Sequence, residues 1–108
     1  MKDITFTIPC YNSQDYMERC INSLLVAGEK AEIIIVDDGS TDQTGAIADR
    51  YAQQYPKIIR VVHQENGGHG AGVNAGLALA SGKYFKVVDS DDWLDRRELK
   101  KLLGKIGQ

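Results

Sequence analysis

Four aspartates near the C-terminal end of the chain offer the clearest potential for chemistry. Asp89, Asp91, Asp92 and Asp95 directly follow the apolar run at residues 84–88. Like charges this close together repel one another unless a counter-charge offsets them. A divalent cation with oxygen ligands is the usual counter-charge, and if the strand continues, Asp89 and Asp91 point to the same side. The cluster is therefore a candidate metal site, and the alternative is a solvated acidic turn that caps the next helix.

Three further polar segments follow apolar runs earlier in the chain. They are residues 9–12, residues 37–40 and the glycine-rich residues 66–72. Glycine allows a backbone to approach a ligand closely. The sequence has no Gly-Lys-Ser/Thr ending of a phosphate-binding P-loop. Its Gly-x-Gly-x-x-Ala match at residues 70–75 follows the third apolar run, whereas a dinucleotide fingerprint follows the first. A phospho-acceptor receiver domain would not place a glycine-rich loop between its acids.

The periodicity of apolar residues places these segments at the ends of regular elements. Apolar runs predict four strands, at about residues 4–9, 33–36, 58–63 and 84–89. Helical spacing predicts four helices, at about residues 17–24, 47–55, 71–81 and 99–106. In the third helix, the residues expected to face the core are Val73, Leu77 and Ala80.

Polar residues before three of the helices predict how those helices begin. Asn12 or Ser13 is expected to cap the first helix, and Ser40 with Gln43 resembles a capping box before the second. Asp95 is expected to cap the last helix.

The alternation of strands and helices predicts the fold class. It is typical of an α/β protein, here a three-layer αβα sandwich with a mainly parallel, Rossmann-like sheet in a single domain over residues 1–108. Crossovers between parallel strands are right-handed. Ligands of such sheets bind at the carboxyl ends of the strands, near a switch in strand order. All four polar segments are therefore expected to converge at one edge of the sheet.

Composition excludes several classes of partner. The 108 residues carry a formal net charge of −2, and the basic residues near the C-terminus are expected to form a solvated helix face, so nucleic acid is not an expected partner. The two cysteines, Cys10 and Cys20, do not imply a disulfide framework, which favours reduced thiols and a cytoplasmic location. No apolar run approaches the length that spans a bilayer, and the N-terminus lacks a signal-peptide pattern.

Order and spacing of the motifs add a resemblance that covers nearly the whole chain. The matching stretches are residues 6–12, 32–42, 66–70, 74–76, 81–84 and 88–93. Together they resemble the nucleotide-binding half of a family 2 glycosyltransferase with the GT-A fold. The resemblance implies transfer of a sugar from a nucleotide-diphosphate donor, most simply a UDP-sugar, to an acceptor hydroxyl, with Mg²⁺ or Mn²⁺ as cofactor.

For the nucleoside, the resemblance implies contacts from the ends of the first two strands. Pro9, Tyr11 and Asn12 would line the nucleotide pocket, with the Tyr11 ring against a uracil-like base. Asp38 would accept a hydrogen bond from the base imide, while Asp37 would hold the loop; which of the two points inward stays open at this stage.

For the diphosphate, the resemblance implies contacts from the two later segments. Asn66 and Gly67 would let the backbone approach the nucleotide. His69 would either contact the diphosphate or cap the helix that follows. The three implied metal residues are Asp89, Asp91 and Asp92, with Asp91 as the ligand and Asp89 facing the ribose or the water shell of the metal. Asp92 would either assist the metal or only favour the start of the following helix.

Two departures from the family pattern limit what the resemblance implies. Val73 stands where many members carry an arginine, so a phosphate or ribose contact made by that arginine is missing. The general base and acceptor pocket of the family come from beyond the Asp-x-Asp motif, so the chain is expected to be the donor-binding part of a larger enzyme. The alternative is a non-catalytic nucleotide-binding or interaction module.

Three further expectations concern surfaces. Trp93 is expected to pack beneath residues 89–92, called the acidic loop below, as a hydrophobic anchor. The fourth strand is expected to lie at an exposed sheet edge, where it could pair two copies of the chain into a homodimer. Association with a membrane could arise through a longer parent chain.

Overall fold

A computed structural model describes residues 2–106 and contains the predicted alternation of strands and helices. The strands are β1 (Ile4–Cys10), β2 (Ala31–Asp38), β3 (Ile59–Gln64) and β4 (Tyr84–Val87). The α-helices are α1 (Met17–Leu25), α2 (Thr44–Gln54), α3 (His69–Leu79) and α4 (Arg96–Ile106). A single 3₁₀ turn, Gly28–Lys30, precedes β2.

The strands form one parallel sheet in the order β3-β2-β1-β4. The chain places β2 and then β3 to one side of β1 and returns to place β4 on the other side. The strand order therefore switches between β1 and β4, which is where ligands of open parallel sheets bind. In the described part of the chain β4 lies at one edge of the sheet, as the sequence predicted.

One face of the sheet carries the main hydrophobic core. Alternate residues of β1 and β2 point to this face and pack against α1, α2 and α4. Its largest members are Ile4, Phe6, Ile8, Met17, Ile21, Leu24, Ile33, Ile35 and Leu99. Because Ile34 and Val36 are buried on the opposite face, β2 is apolar on both sides, as expected for a central parallel strand.

The third layer is α3, and it packs through glycine. A Cβ on Gly72 would lie 3.1 Å from the Pro9 Cβ, and one on Gly76 would lie 2.8 Å from the Thr7 Cβ. The helix backbone therefore lies almost directly on β1. The predicted inward residues were wrong: Gly72 and Gly76 are the buried positions of α3, and Leu77 is 54% exposed. Hydrophobic periodicity cannot identify a contact that depends on glycine, which has no side chain. The three-layer αβα prediction is confirmed.

The helix starts follow the prediction only in α4. There Asp95 Oδ1 accepts a hydrogen bond of 2.7 Å from the Glu98 N–H. The predicted caps of the first two helices were wrong, since α1 and α2 have no capping hydrogen bond from the side chain at their N-cap positions. The hydroxyl and amide groups predicted as caps instead connect neighbouring loops. Among residues 2–106, no helix combines the length and the apolar character needed to cross a bilayer.

Candidate functional site

A cleft of about 330 Å³ opens at the carboxyl ends of the strands, at the switch in strand order. Seven of the ten predicted site residues line it: Pro9, Tyr11, Asp38, Asn66, His69, Asp89 and Asp91. The other three, Asn12, Gly67 and Asp92, are not among its lining residues. The parallel sheet therefore brings together segments that lie up to about 80 residues apart in the sequence.

Aromatic side chains form one wall of the cleft. Tyr11, which follows β1, is 52% exposed and its ring is free to contact a ligand. Tyr16, just before α1, lines the same cleft, and sequence reasoning missed it. The available signal was its position in the same loop as Tyr11, between the end of β1 and the first buried residue of α1.

Asn12 joins two loops. It has a positive φ of 48°, which Asn tolerates better than most residues. Its N–H donates to Ser40 Oγ over 3.0 Å, and its Oδ1 accepts from the Thr41 N–H over 2.9 Å. Asn12 thereby ties the loop after β1 to the loop after β2, and it supports the cleft from outside.

Asp38 is buried at the end of β2 and organises the glycine-rich loop. Its Oδ1 accepts from Gln64 Nε2 and from the Gly67 N–H, each over 2.9 Å. Its Oδ2 accepts from the Gly68 N–H over 2.9 Å. The hydrogen bond from Gln64, helped by those from the two glycines, lowers the pKa of the Asp38 carboxyl. The carboxylate therefore stays ionised and fixes the backbone on the far side of the cleft.

Asp37 points to the opposite face of the sheet and holds a second network. Its Oδ1 accepts from the Ser40 N–H over 3.1 Å, and its Oδ2 lies 2.9 Å from His63 Nδ1. The other ring nitrogen of His63 lies 2.8 Å from Asp49 Oδ1 on α2. The hydrogen bond to Asp37, and then that to Asp49, raises the pKa of His63. This network connects β2, β3 and α2, as the prediction that Asp37 holds its loop requires.

The acidic loop follows β4 as a turn. The strand ends at Val87, earlier than predicted, and the Asp92 N–H donates to the Asp89 carbonyl over 2.9 Å. The turn, and not strand alternation, therefore brings Asp89 and Asp91 to the cleft. The carboxylates of Asp89, Asp91 and Asp92 belong to exposed residues, and of these Asp89 has a protein partner, His69.

His69 begins α3 and faces the acidic loop. Its Nε2 lies 2.9 Å from Asp89 Oδ1, across the mouth of the cleft. The N-cap position of α3 is Gly68, with φ 91°, and it has no side-chain cap. The ring therefore does not cap the helix. The other role that the sequence left open, contact with a ligand beside Asp89, is compatible with this position of the ring.

The donor set of the acidic loop fits a hard divalent cation. No group of three His, Cys, Asp or Glu side chains within residues 2–106 is already arranged around a metal position. Asp89 and Asp91 nevertheless present carboxylate oxygens to the same cleft. Mg²⁺ is usually held by one or two carboxylates together with substrate phosphates, and such a site becomes complete only when the nucleotide binds.

The two cysteines lie beneath the cleft, and their thiols are unreactive near neutral pH. Both Cys10 and Cys20 are buried and free. Burial raises the pKa of each thiol to about 12, so neither is a nucleophile near neutral pH.

Trp93 does not pack beneath the acidic loop, so that expectation was wrong. Its ring is exposed and stacks under the Arg19 guanidinium, with Arg19 Cζ 3.5 Å from the ring centroid. The contact joins the segment after the acidic loop to α1 from the outside.

Comparison with known proteins agrees with this geometry. The family model described as Glycosyl transferase family 2 matches residues 5–108. The glycosyltransferase GlyA of Streptococcus pneumoniae serotype 4 is 38% identical over 104 residues, which cover 95% of this chain and 15% of GlyA.

Two solved structures are similar in fold. The structure of S. aureus TarS 1-349 in complex with UDP-GlcNAc matches with a TM-score of 0.84 and 34% identity, over 99% of this chain and 31% of that one. The mannosyltransferase PcManGT of Pyrobaculum calidifontis, in complex with GDP-Man and Mn²⁺, matches with a TM-score of 0.79 and 26% identity, over 87% and 29%. The chain thus spans less than a third of either protein.

Proposed function

The chain belongs to glycosyl transferase family 2, and on that premise we propose that it is the donor-binding domain of an enzyme that transfers a sugar from a UDP-sugar to an acceptor hydroxyl. One observation carries this proposal. Two exposed carboxylates, Asp89 and Asp91, share a cleft with the exposed ring of Tyr11. A flat base and a metal-bound diphosphate need just these two kinds of group at opposite ends of one cleft.

We assign the nucleoside to the wall formed by β1 and β2. The base lies against Tyr11, and Pro9 and Tyr16 close the same side of the cleft. Asp38 has accepted three hydrogen bonds from the protein, and a carboxylate has about four lone-pair positions. One acceptor position is left for the base imide. The UDP-GlcNAc bound by TarS, the neighbour with the higher identity, supports uracil over guanine.

We assign the diphosphate to the wall formed by α3 and the acidic loop. The first turn of α3 has backbone N–H groups without an intrahelical acceptor, as every helix start does, and in this proposal His69 moves from Asp89 to a phosphate oxygen. Asn66 lines the same wall, while Gly67 is committed to Asp38. Binding of an anion here would therefore exchange one partner of His69 for another.

Asp91 and Asp89, with Asp92 beside them, would hold Mg²⁺ or Mn²⁺. The Mn²⁺ in the PcManGT complex supports this assignment. When bound, the metal supplies Lewis-acid stabilisation of the nucleoside diphosphate as it leaves. The residues of this chain contribute orientation: Tyr11 fixes one end of the donor and the acidic loop fixes the other, which holds the sugar–phosphate bond at one place in the cleft.

Acceptor binding and deprotonation of the acceptor hydroxyl belong, in this proposal, to residues outside this chain. The chain spans 15% of GlyA and 31% of TarS 1-349, which leaves most of a relative's length for these tasks. Cytoplasmic location is part of the proposal and is supported by the free thiols of Cys10 and Cys20. Membrane association, if it occurs, would come from a longer parent chain.

Homodimer formation through β4 is a further part of the proposal. Within the described residues β4 pairs only with β1, and its outer edge carries the exposed Tyr84. Exposed strand edges pair readily with other strands. Multi-angle light scattering on the purified chain measures this directly, and a monomer at high concentration would contradict it.

Titration calorimetry tests donor binding. UDP and GDP are titrated into the chain with and without Mn²⁺, and the same titrations are made on Asp91→Ala and on Glu29→Ala. Glu29 is an exposed acid at the opposite end of the sheet and serves as the matched control. We expect Mn²⁺ to strengthen UDP binding in the unaltered chain and in Glu29→Ala, and to have no effect in Asp91→Ala.

Two outcomes would contradict the proposal in different ways. UDP binding that depends equally on Mn²⁺ in Asp91→Ala would remove the metal assignment. UDP binding without any donor hydrolysis or transfer in a longer version of the protein would favour a non-catalytic nucleotide-binding module.

A further inference from the structure

Ser90 is the buried member of the acidic loop. It is 9% exposed, whereas its neighbours Asp89, Asp91 and Asp92 are exposed. Its hydroxyl lies 2.7 Å from the Ser13 hydroxyl, in the loop between β1 and α1. A buried hydroxyl pair at this distance is a good hydrogen bond, and it crosses from the loop that carries the metal carboxylates to the loop that carries Tyr11.

Ser13 is held firmly on its own side. Its N–H donates to Thr44 Oγ1 over 2.7 Å, which ties it to the start of α2. Its Oγ accepts from the Tyr11 N–H over 3.2 Å and donates to the Tyr11 carbonyl over 3.3 Å. The Ser13 and Ser90 hydroxyls share a hydrogen bond in which either of them can be the donor. Ser13 therefore contacts both the backbone of Tyr11 and the side chain of Ser90, and it links their positions.

The other side of the acidic loop has little support. A cavity of about 230 Å³ lies there, lined by residues of β4 and by Asp89, Asp92, Trp93 and Glu98. The remaining tie from the loop to α1 is a weak one, from Cys20 Sγ to the Asp89 carbonyl over 3.6 Å. The Ser13–Ser90 hydrogen bond therefore joins the acidic loop directly to the loop that carries Tyr11, and the contact between Asp89 and His69 holds it on the α3 side.

We propose that Ser13 and Ser90 are positioning residues that set the spacing between the base-binding wall and the metal-binding carboxylates. The inference rests on the proposed function. A nucleoside diphosphate joins its base and its phosphates covalently, so Tyr11 and Asp91 must engage it at one fixed separation. A loop free to move toward the cavity would have to be ordered by the ligand, which lowers the affinity gained from the metal.

The test measures the metal enhancement, defined as the UDP dissociation constant without Mn²⁺ divided by that with Mn²⁺. In Ser90→Ala we expect this ratio to fall about fivefold, the effect of one net hydrogen bond, while UDP affinity without metal is unchanged. Ser13→Ala should lower the ratio at least as much, because it also removes the contacts of Ser13 to Tyr11. The double variant should lower it no further than Ser13→Ala alone, because the Ser13–Ser90 contact is already lost in that variant.

Ser23→Ala is the matched control. Ser23 Oγ accepts from the Leu94 N–H over 3.2 Å and donates to the Cys20 carbonyl, so it also ties the chain near the loop, but beyond the carboxylates. We expect its metal enhancement to equal that of the unaltered chain. A merely stabilising hydroxyl would change the unfolding midpoint in all of these variants and the metal enhancement in none.

The outcomes separate this inference from the proposed function. An unaltered chain that binds no UDP under either condition overturns both. A metal enhancement that survives Ser90→Ala, or that falls equally in Ser23→Ala, overturns the positioning role and leaves the donor site in place. Ser13→Ala decides the matter from the opposite loop if Ser90→Ala does not fold.

Discussion

Two pairs of aspartates follow two parallel strands of the same sheet, and their surroundings are opposite. Asp37 and Asp38 at the end of β2 are 7% and 4% exposed. Asp89 and Asp91 after β4 are exposed. The residue type is the same, and both pairs come at the carboxyl end of an apolar run, so the sequence offers little to distinguish them.

Hydrogen-bond partners distinguish them. Asp38 accepts from Gln64, Gly67 and Gly68. Asp91 has no hydrogen bond to its carboxylate among the residues that the structure describes, and Asp89 has one, to the exposed ring of His69. A carboxylate that accepts three hydrogen bonds from the protein holds a loop, whereas one that accepts one or none has most of its acceptor positions available to a ligand. The aspartates of β2 therefore hold the loops of the cleft in place, and those after β4 are available to bind a ligand.

The largest expected effect comes from removing the charge at Asp38. In Asp38→Asn, an NH₂ donor replaces one of the two acceptor oxygens, so either the Gly68 N–H or both the Gly67 N–H and Gln64 lose their acceptor. We expect the free energy of unfolding to fall by about 3 kcal/mol, since hydrogen bonds to a buried charged group are worth more than neutral ones. Urea denaturation followed by circular dichroism measures this change.

Asp15→Asn is the control for this loss of stability. Asp15 is exposed in the loop before α1, and the same chemical change there should leave the unfolding midpoint nearly unaltered. Equal stability of Asp38→Asn and the unaltered chain would remove the distinction between a loop-holding and a ligand-facing carboxylate.

A smaller effect is expected from the protonation of His63. Because Asp37, and then Asp49, raise the pKa of His63 in the folded chain, folding favours the protonated ring. This contribution is fully present below the unfolded pKa, near 6.5, and is lost as pH rises through the higher folded pKa. We expect a decrease of no more than about 1 kcal/mol as pH rises above that value, because the ring is half-exposed and screened by solvent.

His63→Gln tests that assignment. Its free energy of unfolding should be flatter over the same pH range than that of the unaltered chain. Asp49→Asn should keep part of the slope, since the contact to Asp37, which comes first among the causes of the shift, remains. An unchanged slope in His63→Gln would mean that other groups cause the pH dependence.

The elements of the fold were predictable because they depend on local patterns. The buried run at residues 33–36 and the helical spacing of Met17, Ile21 and Leu24 identify β2 and α1 whatever their neighbours are. Strand and helix alternation then determines a parallel sheet, and its carboxyl edge gathers the polar segments. The element ends were less accurate: α3 begins at His69 and β4 ends at Val87, where loop contacts decide.

The details of the cleft were less predictable because they depend on distant contacts. Ser13 and Ser90 lie 77 residues apart, and nothing in either local sequence marks them as partners. The same holds for Asp38, because its protein donors lie 26 to 30 residues away in the sequence and its own local sequence does not identify them. The close packing of α3 on β1 depends on Gly72 and Gly76, which an apolar pattern passes over.

The smallest expected effect is that of Asp91→Asn without metal, and it isolates the difference between the two pairs of aspartates. Because this carboxylate has no partner to lose among residues 2–106, and because one of several neighbouring negative charges is removed, the melting temperature should change by no more than about 3 °C, toward higher stability. Added UDP and Mn²⁺ should then raise the melting temperature of the unaltered chain well above that of Asp91→Asn, since a ligand stabilises the state that binds it. A substitution that is harmless to the fold yet abolishes ligand stabilisation would identify Asp91 as ligand-facing. A large loss of stability without ligand would instead place Asp91 with Asp38, as a residue that holds the cleft together.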